Sequence, residues 1–190
     1  MAELVYMAIC SLDGYVADAD GEFGWAAPDE QVHAFVNDLS RPLGIQLIGR
    51  RTYALMQYWE TAATDGSGEP VEEDFTRIWQ SIDKIVYSRT LDSVSAPRTR
   101  LEREFDPAAV RALKESAQAP LAVGGPDLAA SAFRAGLVDE LQLFLVPVLV
   151  GGGTRALPDD VRLELELVED RRFDAGTVFL RHRVVSGPPV

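Results

Sequence analysis

Short apolar runs separated by helical patterns constrain this chain more than any other feature. Leu4 to Ile9, Ile45 to Ile48, Lys84 to Tyr87, Pro120 to Val123 and Leu141 to Leu145 are too short for helices and rich in β-prone side chains. Runs of this kind read as strands buried on both faces, which requires a largely parallel sheet covered by helices. The intervening segments supply those helices. Val32, Phe35, Val36 and Leu39 recur at helical spacing behind Asp29 and Glu30, whose charge suits a helix start. Asp106-Pro107 opens a second helix with a capping acid and a first-turn proline, and Val110, Leu113 and Ala117 form its apolar face. Leu128, Ala129, Ala132 and Phe133 mark a third, ending near Gly136, while Phe75, Ile78, Trp79 and Ile82 suit a short helical or irregular core edge. Thr61 to Pro70 reads as a surface loop. At the C-terminus Leu163, Leu165 and Leu167 alternate with Glu164 and Glu166, a half-buried strand with a wet face. Gly176 separates it from Val178 to Val184, so the chain closes with an antiparallel hairpin. The expected fold class is an α/β sandwich with a mostly parallel central sheet. A chain of 190 residues suits one core, expected over 3–185 of a single domain 1–190, with a tail at Ser186 to Val190.

Charge and composition narrow the partners. The formal net charge of −12 repels phosphate backbones and anionic membranes, which argues against nucleic acid. A small anion remains compatible, because local arginines and helix termini dominate at short range. Cys10 is the only cysteine beside two histidines, so neither an intrachain disulfide nor a Cys/His zinc site can be built, and no metal is expected. No secretory signal is seen after Met1-Ala2-Glu3, and nothing approaches the ~20 apolar residues of a membrane span, so a cytoplasmic protein is expected.

Candidate chemistry gathers where strands end. Val123-Gly124-Gly125-Pro126-Asp127 puts two glycines between a strand and a helix, where the backbone can approach a ligand closely and free N–H groups can hold an anion. A pyrophosphate cradle and a plain tight turn are both compatible with it. It is not the Gly-x-Gly-x-x-Gly fingerprint of the ordinary dinucleotide fold. Gly49-Arg50-Arg51-Thr52 repeats the strand-to-helix setting with arginine forks matched to phosphate. Ser88-Arg89-Thr90 follows a third strand, and Ser11 and Asp13 follow the first. In a parallel sheet these ends share one edge, where ligands bind. Glu30 could orient a heterocycle or relay a proton, or simply charge a helix start; Asp13 could line the ligand or close a turn. His33 and His182 read as structural. No Gly-x-Ser-x-Gly elbow is present, so serine hydrolysis is unsupported.

The combination of Ser11-Leu12-Asp13-Gly14-Tyr15, Leu47-Ile48-Gly49-Arg50-Arg51-Thr52-Tyr53, Tyr87-Ser88-Arg89-Thr90-Leu91, Val123 to Leu128, Gly136 to Leu141 and Pro147 to Thr154 resembles the dihydrofolate-reductase-like superfamily. Within it, the resemblance is to the bacterial branch of the reductase domain of the riboflavin-biosynthesis deaminase–reductase. It implies a three-layer sandwich with helices on both faces and NADPH as hydride donor to a C=N or C=O bond of a pteridine- or pyrimidine-like heterocycle. It would place Gly49, Arg50, Arg51 and Thr52 at the cofactor phosphates and Ser88 and Arg89 near the adenosine 2′-phosphate, with Thr90 also binding the cofactor. Gly124 and Gly125 would meet the pyrophosphate, often through a cis peptide, and Ala8 and Ile9 would lie along the nicotinamide. Asp13-Gly14 would begin a mobile loop over the site, and Asp13 and Glu30 are its catalytic candidates. Glu30 stands at the offset from Trp25 where a dihydrofolate reductase helix carboxylate grips the pterin. Apart from Arg155, no arginine stands out for a substrate phosphate, and the zinc signature of the deaminase is missing. A homodimer is suggested by the resemblance and the apolar run Leu141 to Val150. The different-class alternative is a non-catalytic nucleotide-binding protein that keeps the fold.

Overall fold

The computed structural model describes residues 1–186; the rest of the expected tail lies outside the described residues, and Ser186 itself ends a strand. An eight-stranded sheet forms the middle layer. In chain order its strands are β1 (Leu4–Ser11), β3 (Ile45–Gly49), β4 (Asp83–Tyr87), β5 (Thr99–Glu102), β6 (Leu121–Gly124), β7 (Glu140–Val146), β9 (Glu164–Arg172) and β10 (Val178–Ser186). The two remaining strands, β2 (Tyr15–Ala17) and β8 (Thr154–Arg155), pair with each other outside it. Spatial order is β5-β4-β3-β6-β1-β7-β10-β9. The first six are mutually parallel; β10 is antiparallel to β7 and β9 to β10. The mostly parallel sheet and the C-terminal hairpin are therefore as the sequence predicts.

Period-two alternation sends side chains to two helical layers. Leu4 and Tyr6 of β1, Leu47 of β3 and Ile85 of β4 pack with Val110 of α4 (Pro107–Ser116) and Leu128, Ala129, Ala132 and Phe133 of α5 (Pro126–Arg134). Met7 and Ile9 of β1 turn the other way, onto Val32, Phe35, Val36 and Leu39 of α1 (Glu30–Ser40). On that same face Ile48 and Val86 meet Tyr53 of α2 (Arg50–Thr61) and Trp79 of α3 (Pro70–Ser81). Asp29 caps α1, accepting the Val32 N–H at 2.8 Å, and Asp106 caps α4, accepting the Ala108 N–H at 2.9 Å. Each cap is worth about 1 kcal/mol.

Three features depart from expectation. Thr99–Glu102 forms strand β5, although its Thr-Arg-Leu-Glu sequence carries no apolar run, because it pairs at the sheet edge beside β4. The strand of alternating Leu and Glu is not half-buried: Leu165 is 41 % and Leu167 53 % exposed. Strand β9 is the last of the sheet, paired on one side only, and the Leu165 and Leu167 side chains stay largely open to solvent there. Finally, no cis peptide occurs among the described residues. The Gly124–Gly125 bond is trans, and the chain turns instead through a positive φ of 88° at Gly125.

Candidate active site

A cleft of about 1250 Å³ opens at the C-terminal edge of the parallel strands. Its floor exists because neighbouring strands differ in length. Strand β6 pairs with β1 only from Leu4 to Tyr6 and stops at Gly124, whereas β1 continues along β7 to Ser11. Met7, Ala8 and Ile9 therefore line the cleft along the backbone edge that a longer β6 would have covered. Gly49 to Thr52 and Gly124 to Leu128 form one end of the lining; Val16 to Gly21, Phe23, Gly153 and Thr154 form the other.

The glycine end is tight for a physical reason. A Cβ added at Gly125 would lie 2.5 Å from Thr52 Oγ1, and one at Gly124 would lie 3.0 Å from Gln46 Nε2. Two strand-to-helix turns thus touch through atoms that only glycine leaves room for. Helices α2 and α5 both begin here, capped by Gly49 and Gly125 with no side-chain hydrogen bond. Their first N–H groups form a potential anion site. Arg51 shares its charge with Asp127 at 3.7 Å, both highly exposed, while Arg50 is exposed with no ion pair among the described residues.

Of the candidates read from the sequence, Ala8, Ile9, Gly49, Arg50, Arg51, Thr52, Gly124 and Gly125 share this cleft; Ser88, Arg89, Thr90, Asp13 and Glu30 are not among its lining residues. Ser88, Arg89 and Thr90 follow Tyr87, which does line it. The Ser88 hydroxyl is buried and accepts the N–H groups of Thr90 and Leu91 at 3.2 and 3.1 Å, closing the turn. Arg89 extends from that turn and pairs with Glu104 at 3.4 Å. Glu30 is the exposed first residue of α1.

Asp13 ties two loops together. Its carboxylate accepts the Gly151 N–H at 2.7 Å and the Val150 N–H at 3.2 Å. The Ser11 hydroxyl beside it, more than these N–H groups, holds its pKa below the usual aspartate value. Nearby, Leu12 N–H donates to Val148 O at 2.8 Å, Ala156 N–H to Gly14 O at 2.9 Å, and β2 pairs with β8. Gly153, at φ 123°, packs so closely on Ala17 and Asp18 that a side chain would overlap their backbone. The wall beyond Asp13 is thus stitched into place. Replacing Asp13 by Ala is expected to speed amide exchange at Val150 and Gly151 roughly tenfold, since hydrogen bonds to a charged acceptor exceed ordinary ones. A carboxylate with a lowered pKa holds its bonds above the ordinary aspartate value of about 3.9. It loses them as the pH falls through its depressed value, so wild type approaches the variant only in acid. Unchanged exchange in the variant, read by NMR, would deny Asp13 this role.

Several contributors carry no motif in the sequence. Leu55, Ser131, Asp18, Asp20 and Phe23 line the cleft from helix faces and a turn that look ordinary in one dimension. Tyr6 and Tyr87 also border it, and both keep their phenolic protons at neutral pH. Burial pushes Tyr6 far up while its hydroxyl donates to Ala156 O at 2.6 Å; burial, then Glu102, push Tyr87 up to about 12.

The model of the RibD C-terminal domain matches residues 2–179. The chain belongs to the RibD C-terminal domain family. A curated relative, the uncharacterized protein YyaP of Bacillus subtilis, is 25% identical over 169 residues, 88% of this chain and 87% of that one. Among solved structures, the putative riboflavin biosynthesis protein from Shewanella sp. PV-4 matches with a TM-score of 0.75 at 19% identity, over 98% of this chain and 100% of that one. The diaminohydroxyphosphoribosylaminopyrimidine deaminase/5-amino-6-(5-phosphoribosylamino)uracil reductase of Thermotoga maritima gives 0.67 at 16% identity, over 96% of this chain but 56% of that one. A dihydrofolate reductase from Enterococcus faecalis complexed with NADP(H) gives 0.66 at 14% identity, over 97% of both. At such identities these likenesses establish the fold. In this RibD C-terminal domain the cleft lies at the edge where the strand ends converge. Among the described residues no helix is long and apolar enough to cross a membrane, and no cluster of His, Cys, Asp and Glu is arranged for a metal.

Proposed function

We propose that this chain is an NADPH-dependent reductase, a single domain that delivers hydride to a C=N or C=O bond of a small pteridine- or pyrimidine-like heterocycle. The observation that carries the reading is the meeting, through Gly125 and Thr52, of two helix starts that have no side-chain cap, a cradle that a Cβ would fill. Pyrophosphate fits such a cradle, with Arg50 and Thr52 as its side-chain contacts. Arg89 serves the 2′-phosphate, and the free edge of Ala8 and Ile9 serves a carboxamide. The NADP(H) in the name of the Enterococcus enzyme agrees with this choice. The cofactor supplies the hydride; the protein orients the acceptor above β1 and keeps water away from it. Glu30 acts through a bound water rather than by direct contact. A cytoplasmic homodimer completes the reading.

NADPH is expected to bind at ~1 μM, about −8 kcal/mol, and more tightly than NADH. Arg50→Ala is expected to weaken it about tenfold, the share of one charge-assisted contact. Calorimetric titration measures both. Equal affinity for the two cofactors would remove Arg89 from the 2′-phosphate, and an Arg50→Ala variant that binds as wild type would remove the cradle.

One observation favours a second reading. Neither carboxylate named as a catalytic candidate, Asp13 or Glu30, lines the cleft, which suits a nucleotide-binding protein that keeps the fold without turnover. NADPH binding with no oxidation of it by any dihydropteridine or aminopyrimidine would select that reading.

A further inference from the structure

We propose that the heterocycle taken by this cleft carries no phosphate: the substrate class is a free base or riboside, not a ribotide. The proposal rests on the reductase reading and extends it from a reaction to a kind of substrate. Its basis is the uneven charge of the cleft. Among the described residues, Arg50 and Arg51 are the only cationic ones in the lining, and both stand at the start of α2 beside the start of α5. The cations of the lining are therefore at one end, matched to one pyrophosphate, with Arg89 outside the lining reserved for the 2′-phosphate.

The opposite wall has the reverse character. Val16 to Gly21, Phe23, Gly153 and Thr154 bring small and apolar surface together with Asp18 and Asp20. Asp18 belongs there structurally: its Oδ1 accepts the N–H groups of Asp20 and Glu22 at 3.0 and 2.9 Å and shapes the turn. Arg155, the cation nearest to this wall in the sequence, is committed elsewhere. Its guanidinium lies 5.3 Å from the centre of the Tyr15 ring and its Nε is 3.0 Å from Asp159, outside the lining. A phosphate dianion seated against this wall would face two carboxylates and meet no countercharge. A neutral ring with amino groups would find acceptors instead. The name of the Thermotoga reductase specifies a phosphoribosylamino substrate; the acids along this wall argue against a substrate of that charge for the present chain.

Two probes test the charge map by NMR of amide-labelled protein. Inorganic pyrophosphate alone is expected to shift the amides of Gly49 to Thr52 and of Gly125 to Leu128. Failure there would overturn the cofactor reading and leave the substrate question separate. With the protein saturated by NADP⁺, millimolar ribose 5-phosphate is expected to leave Val16 to Phe23 and Gly153 to Arg155 unshifted. Saturable shifts in those segments would overturn the proposal. The kinetic arm compares 5-amino-6-ribosylaminouracil with its 5′-phosphate as NADPH oxidants. The riboside is expected to have at least the kcat/KM of the phosphate, and Asp20→Lys is expected to raise kcat/KM for the phosphate alone. A wild-type preference for the phosphate of about tenfold or more would overturn the proposal. The NMR arm decides the matter even where neither compound is turned over.

Discussion

Replacing Lys84 by methionine is expected to cost the fold about 3–5 kcal/mol, the penalty for stranding one member of a buried ion pair. The Lys84 side chain is wholly buried and that of Glu60 is 5 % exposed, with Nζ 3.0 Å from Oε1. Lys84 also donates to Trp79 O at 3.0 Å, and its ammonium lies 5.1 Å from the centre of the Trp79 ring. Glu60 Oε1 accepts the Trp79 indole N–H at 2.7 Å. Removing the lysine leaves that carboxylate with one neutral donor and little water. A domain of this size is stable by only about 5–15 kcal/mol, so the loss would be plain in urea denaturation. The Lys84→Met, Glu60→Gln double variant is expected to recover most of it, because no unpaired charge remains. If the single variant loses less than about 1 kcal/mol, Glu60 is reaching solvent and the pair is not buried in solution. The pair joins the C-terminal end of α2 to α3 and β4, and neither member lines the cleft, so cofactor affinity of the folded variant should be unchanged.

Gly125→Ala is the complementary case, expected to leave a folded protein with NADPH affinity reduced by about 100-fold, or roughly 2.7 kcal/mol. Two costs coincide. A φ of 88° is unfavourable for an L side chain by about 1–2 kcal/mol. The new Cβ would also sit 2.5 Å from Thr52 Oγ1, on a β-branched side chain with little rotamer freedom to yield. The β6–α5 turn must then move off the β3–α2 turn, which parts the two sets of N–H groups that the cradle combines. Adding Thr52→Ala removes the colliding atom but not the φ cost, so the double variant should regain part of its stability. Calorimetry with NADPH and thermal unfolding read the two effects apart. Unchanged binding by Gly125→Ala would place the cofactor elsewhere.

Much of this architecture is legible in one dimension because its signals are local. The strand runs, the Asp29 and Asp106 caps and the glycine turns depend on neighbours within a few residues, and the observed elements follow them. Edge position is not local. Leu165 and Leu167 read as core because alternation reports which side chains share a face, not whether a helix covers it. Strand β5 was invisible for the converse reason: it is held by pairing to β4, not by its own hydrophobicity. Buried charge is equally silent. Lys84 looks like a strand-start cation, and Lys114 like a helix-end one, until Lys114 is seen within 2.6 Å of Asp139 and donating to Leu137 O at 2.8 Å.

The same division runs through the site. By itself the sequence determined that glycines and arginines stand at the ends of buried strands, because only strand-to-helix turns with free N–H groups demand that spacing. Tertiary structure decided which of them meet. The early stop of β6 brings Gly125 against Thr52 and bares the edge of Ala8 and Ile9, while Asp13 is drawn off to the Val150–Gly151 backbone. Strand lengths and register across the sheet set those distances, and they arise from contacts between residues far apart in the chain.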